Sequence, residues 1–261
     1  MQNALAVCLL SGIVCGLVGT YIVCRRMVFL SGGITHASFG GIGIAYYLGY
    51  DPILGALVFS VLSALGVEAV SARGRMREDS AIGIIWSVGM AVGIIFIYLT
   101  PGYAPNLMSF LFGNILTATR GDIIGLGAIA VITIFIFTLF MRRIIYVAFD
   151  PAYARSQGVR AQVVNSLMAV LVALSIVFSI RSVGIMLLIS LLTMPAAIAG
   201  SLTHDYRRIF PWAVAVAVAG NVVGLWLAVA LGIPASAATI FAMTVGLVAV
   251  KMLPLRCKSK A

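Results

Sequence analysis

Across 261 residues, hydrophobic side chains fill 62% of positions and charged ones 9%, with a mean hydropathy of +1.16. A soluble domain carries about 25% charged residues, so that class is excluded, and the alternating polarity of a membrane β-barrel is missing as well. The formal charge of +10 does not indicate nucleic acid, because Lys and Arg sit in small clusters between apolar runs, as topology signals do.

Runs near the ~20 apolar residues that cross hydrocarbon predict spans at 3–24, 34–50, 53–71, 80–99, 121–141, 161–180, 183–202, 210–231 and 237–252. The expected fold class is therefore an all-α polytopic membrane protein with about nine transmembrane helices in one integral membrane domain, residues 1–261. The opening run lacks a basic segment before it and carries Arg25 and Arg26 behind it, so it reads as a first crossing and not a cleaved leader. Cys8, Cys15 and Cys24 lie along it, and Cys257 lies near the far end; none has a paired spacing, and they read as small buried residues. If the end of this run faces the cytoplasm, fifteen of the seventeen cationic side chains fall inside and only Arg120 and Arg181 outside. That asymmetry predicts an external amino terminus and a cytoplasmic carboxyl terminus.

Small residues mark the first two crossings. Gly12, Gly16 and Gly19 fall near one face of the first; Gly32, Gly40 and Gly43 follow one side of the second, with His36 between them. Such faces let helix backbones approach closely. Two readings of His36 stand open at this point: a residue facing a pathway, or one engaged in packing and hydrogen bonding.

Later segments carry further signals. Glu68 falls near the inner end of the third crossing, where it can snorkel, and Glu78 and Asp79 open the fourth. The stretch "LMSFLFGNILTAT", 107–119, is too short to span and is expected as an external or re-entrant helix. The loop at 142–160, "RRIIYVAFDPAYARSQGVR", predicts a short cytoplasmic helix. Asp150 would be its N-cap, Pro151 its first residue and Gly158 its end, giving a surface suited to docking on a partner. Pro195 interrupts the seventh crossing, and Thr193 is placed to satisfy the backbone it frees. Asn114 and Asn221 are candidates to line a cavity or bridge helices, while His204 reads as a solvated residue of the inner face.

Catalytic patterns are absent. The chain has no G-x-x-x-x-G-K-[ST] loop with which to cradle ATP. Its acidic residues lie at span ends or in loops, which weighs against a proton-coupled carrier. The residues leave a transport subunit, an ATP-independent channel or a membrane scaffold as readings.

Five stretches, in order, resemble the membrane permease subunit of the zinc/manganese/iron family of ABC importers, from about residue 5 to residue 250. They are "FLSGGITHASFGGIGIAYYLG", "REDSAIGIIWSVGMAVGI", "LMSFLFGNIL", "AFDPAYARSQGV" and "SIRSVGIMLLISLLTMPAAIA". The resemblance implies a homodimer in the cell membrane that meets two cytoplasmic ABC ATPase subunits, which would carry ATP and magnesium. It also implies an extracytoplasmic metal-binding protein that delivers the ion. His36, Gly32, Thr35, Thr193 and Pro195 would then border the translocation pathway, with His36 as the metal contact. Asp150, Tyr153, Ala154, Arg155, Gly158 and Arg160 would form the coupling to the ATPase. Many members of the family carry an aspartate four residues before the histidine; here that position is Gly32. A two-ligand site therefore does not carry over, and only His36 does. The related permeases for metal chelates such as siderophores or haem are the alternative within transport.

Overall fold

In the computed structural model, described over residues 2–72, 74, 76–101, 113, 115, 118–203 and 205–252, the chain folds into α-helices. We number them α1 (Gln2–Cys24), α2 (Val28–Leu48), α3 (Pro52–Ala72), α4 (Glu78–Leu99) and α5 (Arg120–Phe149). They continue with α6 (Pro151–Ser156), α7 (Ala161–Val183), α8 (Ile185–Leu202), α9 (Tyr206–Leu231) and α10 (Ala235–Met252). Among the described residues, nine of these are long and apolar enough to cross a membrane, and α6 is the short exception. The expected external segment at 107–119 and His204 lie largely or wholly outside the described residues, as do Asn114 and Cys257.

Close approaches at glycine set the packing. A Cβ at Gly12 would come within 2.7 Å of Val218 Cγ2, and one at Gly16 within 2.6 Å of Val214 Cα, so α1 lies directly against α9. Gly19 meets the backbone of Leu192 on α8 in the same way. α2 is held on two sides: Gly41 abuts the Gly55 carbonyl of α3, while Gly40 and Gly43 abut Gly89 and Gly93 of α4. In hydrocarbon, dispersion and shape provide the attraction that water provides elsewhere, and small residues permit the contact. The largest buried cluster joins α1, α5, α7 and α8 through Val14, Leu126, Phe137, Ile176 and Leu188. Asn221 of α9 crosses to α1, its amide donating to the Cys8 carbonyl at 3.0 Å and to Ser11 Oγ at 3.1 Å. It is a bridge between helices. Cys8 and Cys15 are buried as expected, and Cys24 is half-buried.

Helix ends meet in the pattern that alternating crossings require. Arg25, after α1, reaches Glu68 at the end of α3 and Glu78 at the start of α4, each at 3.5 Å. At the opposite end, Asp122 of α5 pairs with Arg181 of α7 at 3.2 Å. Thr119 and Asp122 form a reciprocal cap that starts α5.

Three sequence expectations need correction. α2 begins at Val28, not at 34, because Ser31, Gly32, Gly33 and Thr35 are helical and buried in protein. α5 continues past Arg142 and Arg143 to Phe149; charge ends the apolar run but does not end the helix. Glu68 does not snorkel to water: it is 7% exposed and pairs with Arg25, whose guanidinium also donates to the Tyr21 hydroxyl at 3.1 Å.

Candidate translocation face and coupling helix

Between Ser31 and Gly43 every residue of α2 is buried except His36, which is half-buried. The helix period places His36 above Gly32 on one face, and α4 supplies the partner for both. The indole of Trp86 stacks on the imidazole with centroids 4.4 Å apart and planes 9° from parallel. A Cβ at Gly32 would sit 3.4 Å from Trp86 Cζ3 and 4.0 Å from Ile189 Cδ1 of α8, which is ordinary contact. Gly32 thus leaves room for a small side chain, whereas Gly40, Gly41 and Gly43 do not. Stacking uses the face of the imidazole and leaves both nitrogens at its edge.

The other pathway candidates separate. Thr35 is fully buried, and its hydroxyl is spent on the Ser31 carbonyl of its own helix at 2.5 Å. Thr193 is half-buried on α8; its hydroxyl donates to the Ile189 carbonyl at 2.9 Å and the Ser190 carbonyl at 3.3 Å. Those are the turn before the carbonyl of Leu191 that Pro195 frees, so the expected compensation by Thr193 is not the one made. Pro195 is buried within α8. The structure therefore brings His36, Gly32, Trp86 and Ile189 together and leaves Thr35 out of the group. Trp86 was not legible as part of the site, because hydropathy does not say which helices face one another. Among the described residues, no three His, Cys, Asp or Glu side chains gather to hold a metal.

The predicted short helix is α6. Asp150 caps it, its carboxylate accepting from the Ala152 and Tyr153 amides at 3.0 and 2.9 Å, with Pro151 in the first turn. After Ser156 the chain turns back at Gly158, whose φ of 74° lies in the left-handed region, and the Val159 amide closes on the Ala154 carbonyl at 2.9 Å. Ala154 is buried and anchors the helix, while Tyr153 packs edge-on against Tyr146 of α5 at 5.3 Å. Arg155 is exposed and donates to the Pro151 carbonyl at 3.2 Å. Arg160 is exposed too; its carbonyl accepts the Val163 amide at 3.0 Å and starts α7. The result is a capped knuckle between α5 and α7 that leaves Tyr153 and Arg155 exposed.

The model of the "ABC 3 transport family" matches residues 1–253. The chain belongs to the ABC 3 transport family. Among members and relatives, a manganese transport system membrane protein of Halalkalibacterium halodurans is 33% identical over 92% of this chain and 82% of its own length. An uncharacterized membrane protein of Synechocystis sp. is 36% identical over 94% of this chain and 87% of its own. Among solved structures, PsaBC from Streptococcus pneumoniae in complex with Fab matches with a TM-score of 0.85 at 27% identity, covering 97% of this chain and 91% of that one. Family membership and nine apolar helices together make this a multi-pass membrane protein.

Proposed function

We propose that the chain is the permease subunit of an ATP-driven importer of a divalent metal ion, with the translocation path along the His36 face of α2. The observation that carries this reading is the single opening in the buried stretch of α2. His36 is the one residue between Ser31 and Gly43 that is not buried. An imidazole facing lipid is costly, and ionisable groups in spanning helices belong to interior or wet faces. A second copy of the chain covering that face would give the imidazole such a setting and bring a second His36 to the same path. The homodimer and its two-fold pathway follow from this argument.

A lone imidazole holds a cation weakly, which suits passage better than storage, since conduction needs release. Manganese accepts nitrogen and oxygen donors of this kind, and a relative named for manganese transport supports it over zinc and iron as the cargo. Lacking a phosphate-binding loop, the chain depends on ATPase subunits that carry ATP and magnesium. They would dock on α6 and drive alternating access through Asp150, Tyr153, Ala154, Arg155, Gly158 and Arg160. An extracytoplasmic metal-binding protein would load the opposite face. The test is uptake by proteoliposomes that contain this chain and its cognate ATPase. ATP-dependent entry of free manganese supports the reading; entry of a metal chelate only, or entry that ignores ATP, overturns it.

A further inference from the structure

On the side where Arg25 meets Glu68 and Glu78, the end of α5 and the start of α9 leave a cavity of about 330 Å³ between them. Arg142 and Tyr146 line it from α5, Tyr206 and Arg207 from α9, and Asp205, the cap of α9, lines it as well. The Asp205 carboxylate is already engaged, accepting the Arg207 amide at 3.0 Å and pairing with Arg208 Nε at 3.4 Å. All seven acidic side chains of the sequence lie among the described residues, and none of their ion pairs involves Arg142 or Arg207. Two guanidinium groups and two phenols thus share one cavity with a single carboxylate, that of Asp205, which pairs with Arg208; among the described residues neither Arg142 nor Arg207 has an ion-pair partner.

The surroundings specify what kind of anion fits. Along α5 the cavity lies between two ring contacts, Phe137 with Phe210 at 5.4 Å and Phe149 with Tyr206 at 4.3 Å. Toward the bilayer, α5 exposes Phe135 and Leu139, and α9 exposes Trp212. A ligand seated here therefore has a phosphate-binding end at the interface and apolar surface leading away from it. Positive charge clustered between helices at the cytoplasmic boundary is the setting in which anionic headgroups bind, and guanidinium matches phosphate by paired, charge-assisted hydrogen bonds.

We propose that this cavity binds the phosphodiester headgroup of an anionic lipid of the cytoplasmic leaflet, its acyl chains lying against α5 and α9. Because Tyr146 also touches Tyr153 of α6, the bound headgroup stands directly behind the coupling helix. The proposal depends on the topology and not on which ion is transported.

Native mass spectrometry of the full-length protein with phosphatidylglycerol, and separately with phosphatidylcholine, tests it. The wild type should retain phosphatidylglycerol in preference to phosphatidylcholine, and Arg142→Gln/Arg207→Gln should weaken that binding roughly thirtyfold. Arg143→Gln, which removes a neighbouring charge that rests on the Phe140 ring outside the cavity, should leave it unchanged. Should the double variant misfold, Arg142→Lys/Arg207→Lys keeps both charges and should still prefer the anionic lipid. Equal retention by wild type and double variant overturns the site. Displacement of the lipid by millimolar inorganic phosphate would make it a soluble-phosphate site instead, and loss of the lipid when the ATPase assembles would assign the arginines to that protein; either overturns the proposal.

Discussion

His36 of α2 and Trp86 of α4 lie face to face, 4.4 Å between centroids and 9° from parallel, at the one break in the buried stretch of α2 from Ser31 to Gly43. The stack fixes the plane of the imidazole. It leaves the edge nitrogens as the polar feature of that surface, beside a glycine that has room to grow.

That difference among the α2 glycines is testable. Gly32→Ala adds a methyl at ordinary contact distance from Trp86 and should leave thermal stability of the purified protein within a degree or two. Gly41→Ala drives the same methyl into the Gly55 carbonyl and should cost about 1–3 kcal/mol. Equal melting temperatures for the two variants would show that α2 and α3 are not packed as described.

Arg25 should behave as a structural ion-pair centre. Burial works against its charge, but Tyr21, Glu68 and Glu78 outweigh that and raise its pKa overall. Arg25→Gln strands Glu68, buried and without a counter-ion, at a cost of about 3 kcal/mol. Arg25→Gln/Glu68→Gln removes both charges and should recover most of that loss, measured as the melting temperature in detergent. A double variant no better than the single one would remove the pair from the account.

Gly158 permits a stricter test of α6. Nothing lies within 4 Å of a Cβ at this position, so Gly158→Val meets only the strain of a positive φ, about 1–2 kcal/mol. The bundle should fold normally while ATP hydrolysis by the assembled transporter loses its coupling to uptake. Full transport by a well-assembled Gly158→Val protein would separate α6 from coupling.

Orientation follows from charge and is checked by reporters. A fusion at Lys260 should report the cytoplasm and one at Tyr103 the exterior, given fifteen cationic side chains on one side and two on the other. Reports from a single side would contradict the order of crossings.

Most of the helical order was legible because hydrocarbon imposes length and polarity on each crossing. The exception is instructive. α2 has the lowest mean hydropathy of the nine candidate spans, 1.3, and the largest buried share, 78%. A helix surrounded by other helices is selected for small, close-fitting residues, so its start at Val28 was hidden behind Ser31, Gly32 and Gly33. α9 begins four residues before the apolar run at 210, since Arg207 and Arg208 are polar yet helical behind the Asp205 cap. Asp150, Pro151 and Gly158 were legible because capping is local chemistry. Trp86 beside His36, and Glu68 beside Arg25, were not: each is a tertiary pairing across tens of residues, and periodicity carries no record of it.

The central claim is that the His36 face is a metal path, and uptake by the His36→Ala and Gly32→Asp variants tests it most directly. Radiolabelled manganese entry would be measured in proteoliposomes with the assembled transporter, alongside basal ATP hydrolysis. The account predicts that His36→Ala assembles and hydrolyses ATP but loses most uptake. Gly32→Asp, which sets a carboxylate one helical turn from the imidazole, should assemble and alter metal preference or retention. Under the opposite reading, a packing face, the carboxylate would be buried unpaired at several kcal/mol. Normal uptake by His36→Ala together with failed assembly of Gly32→Asp would contradict the account.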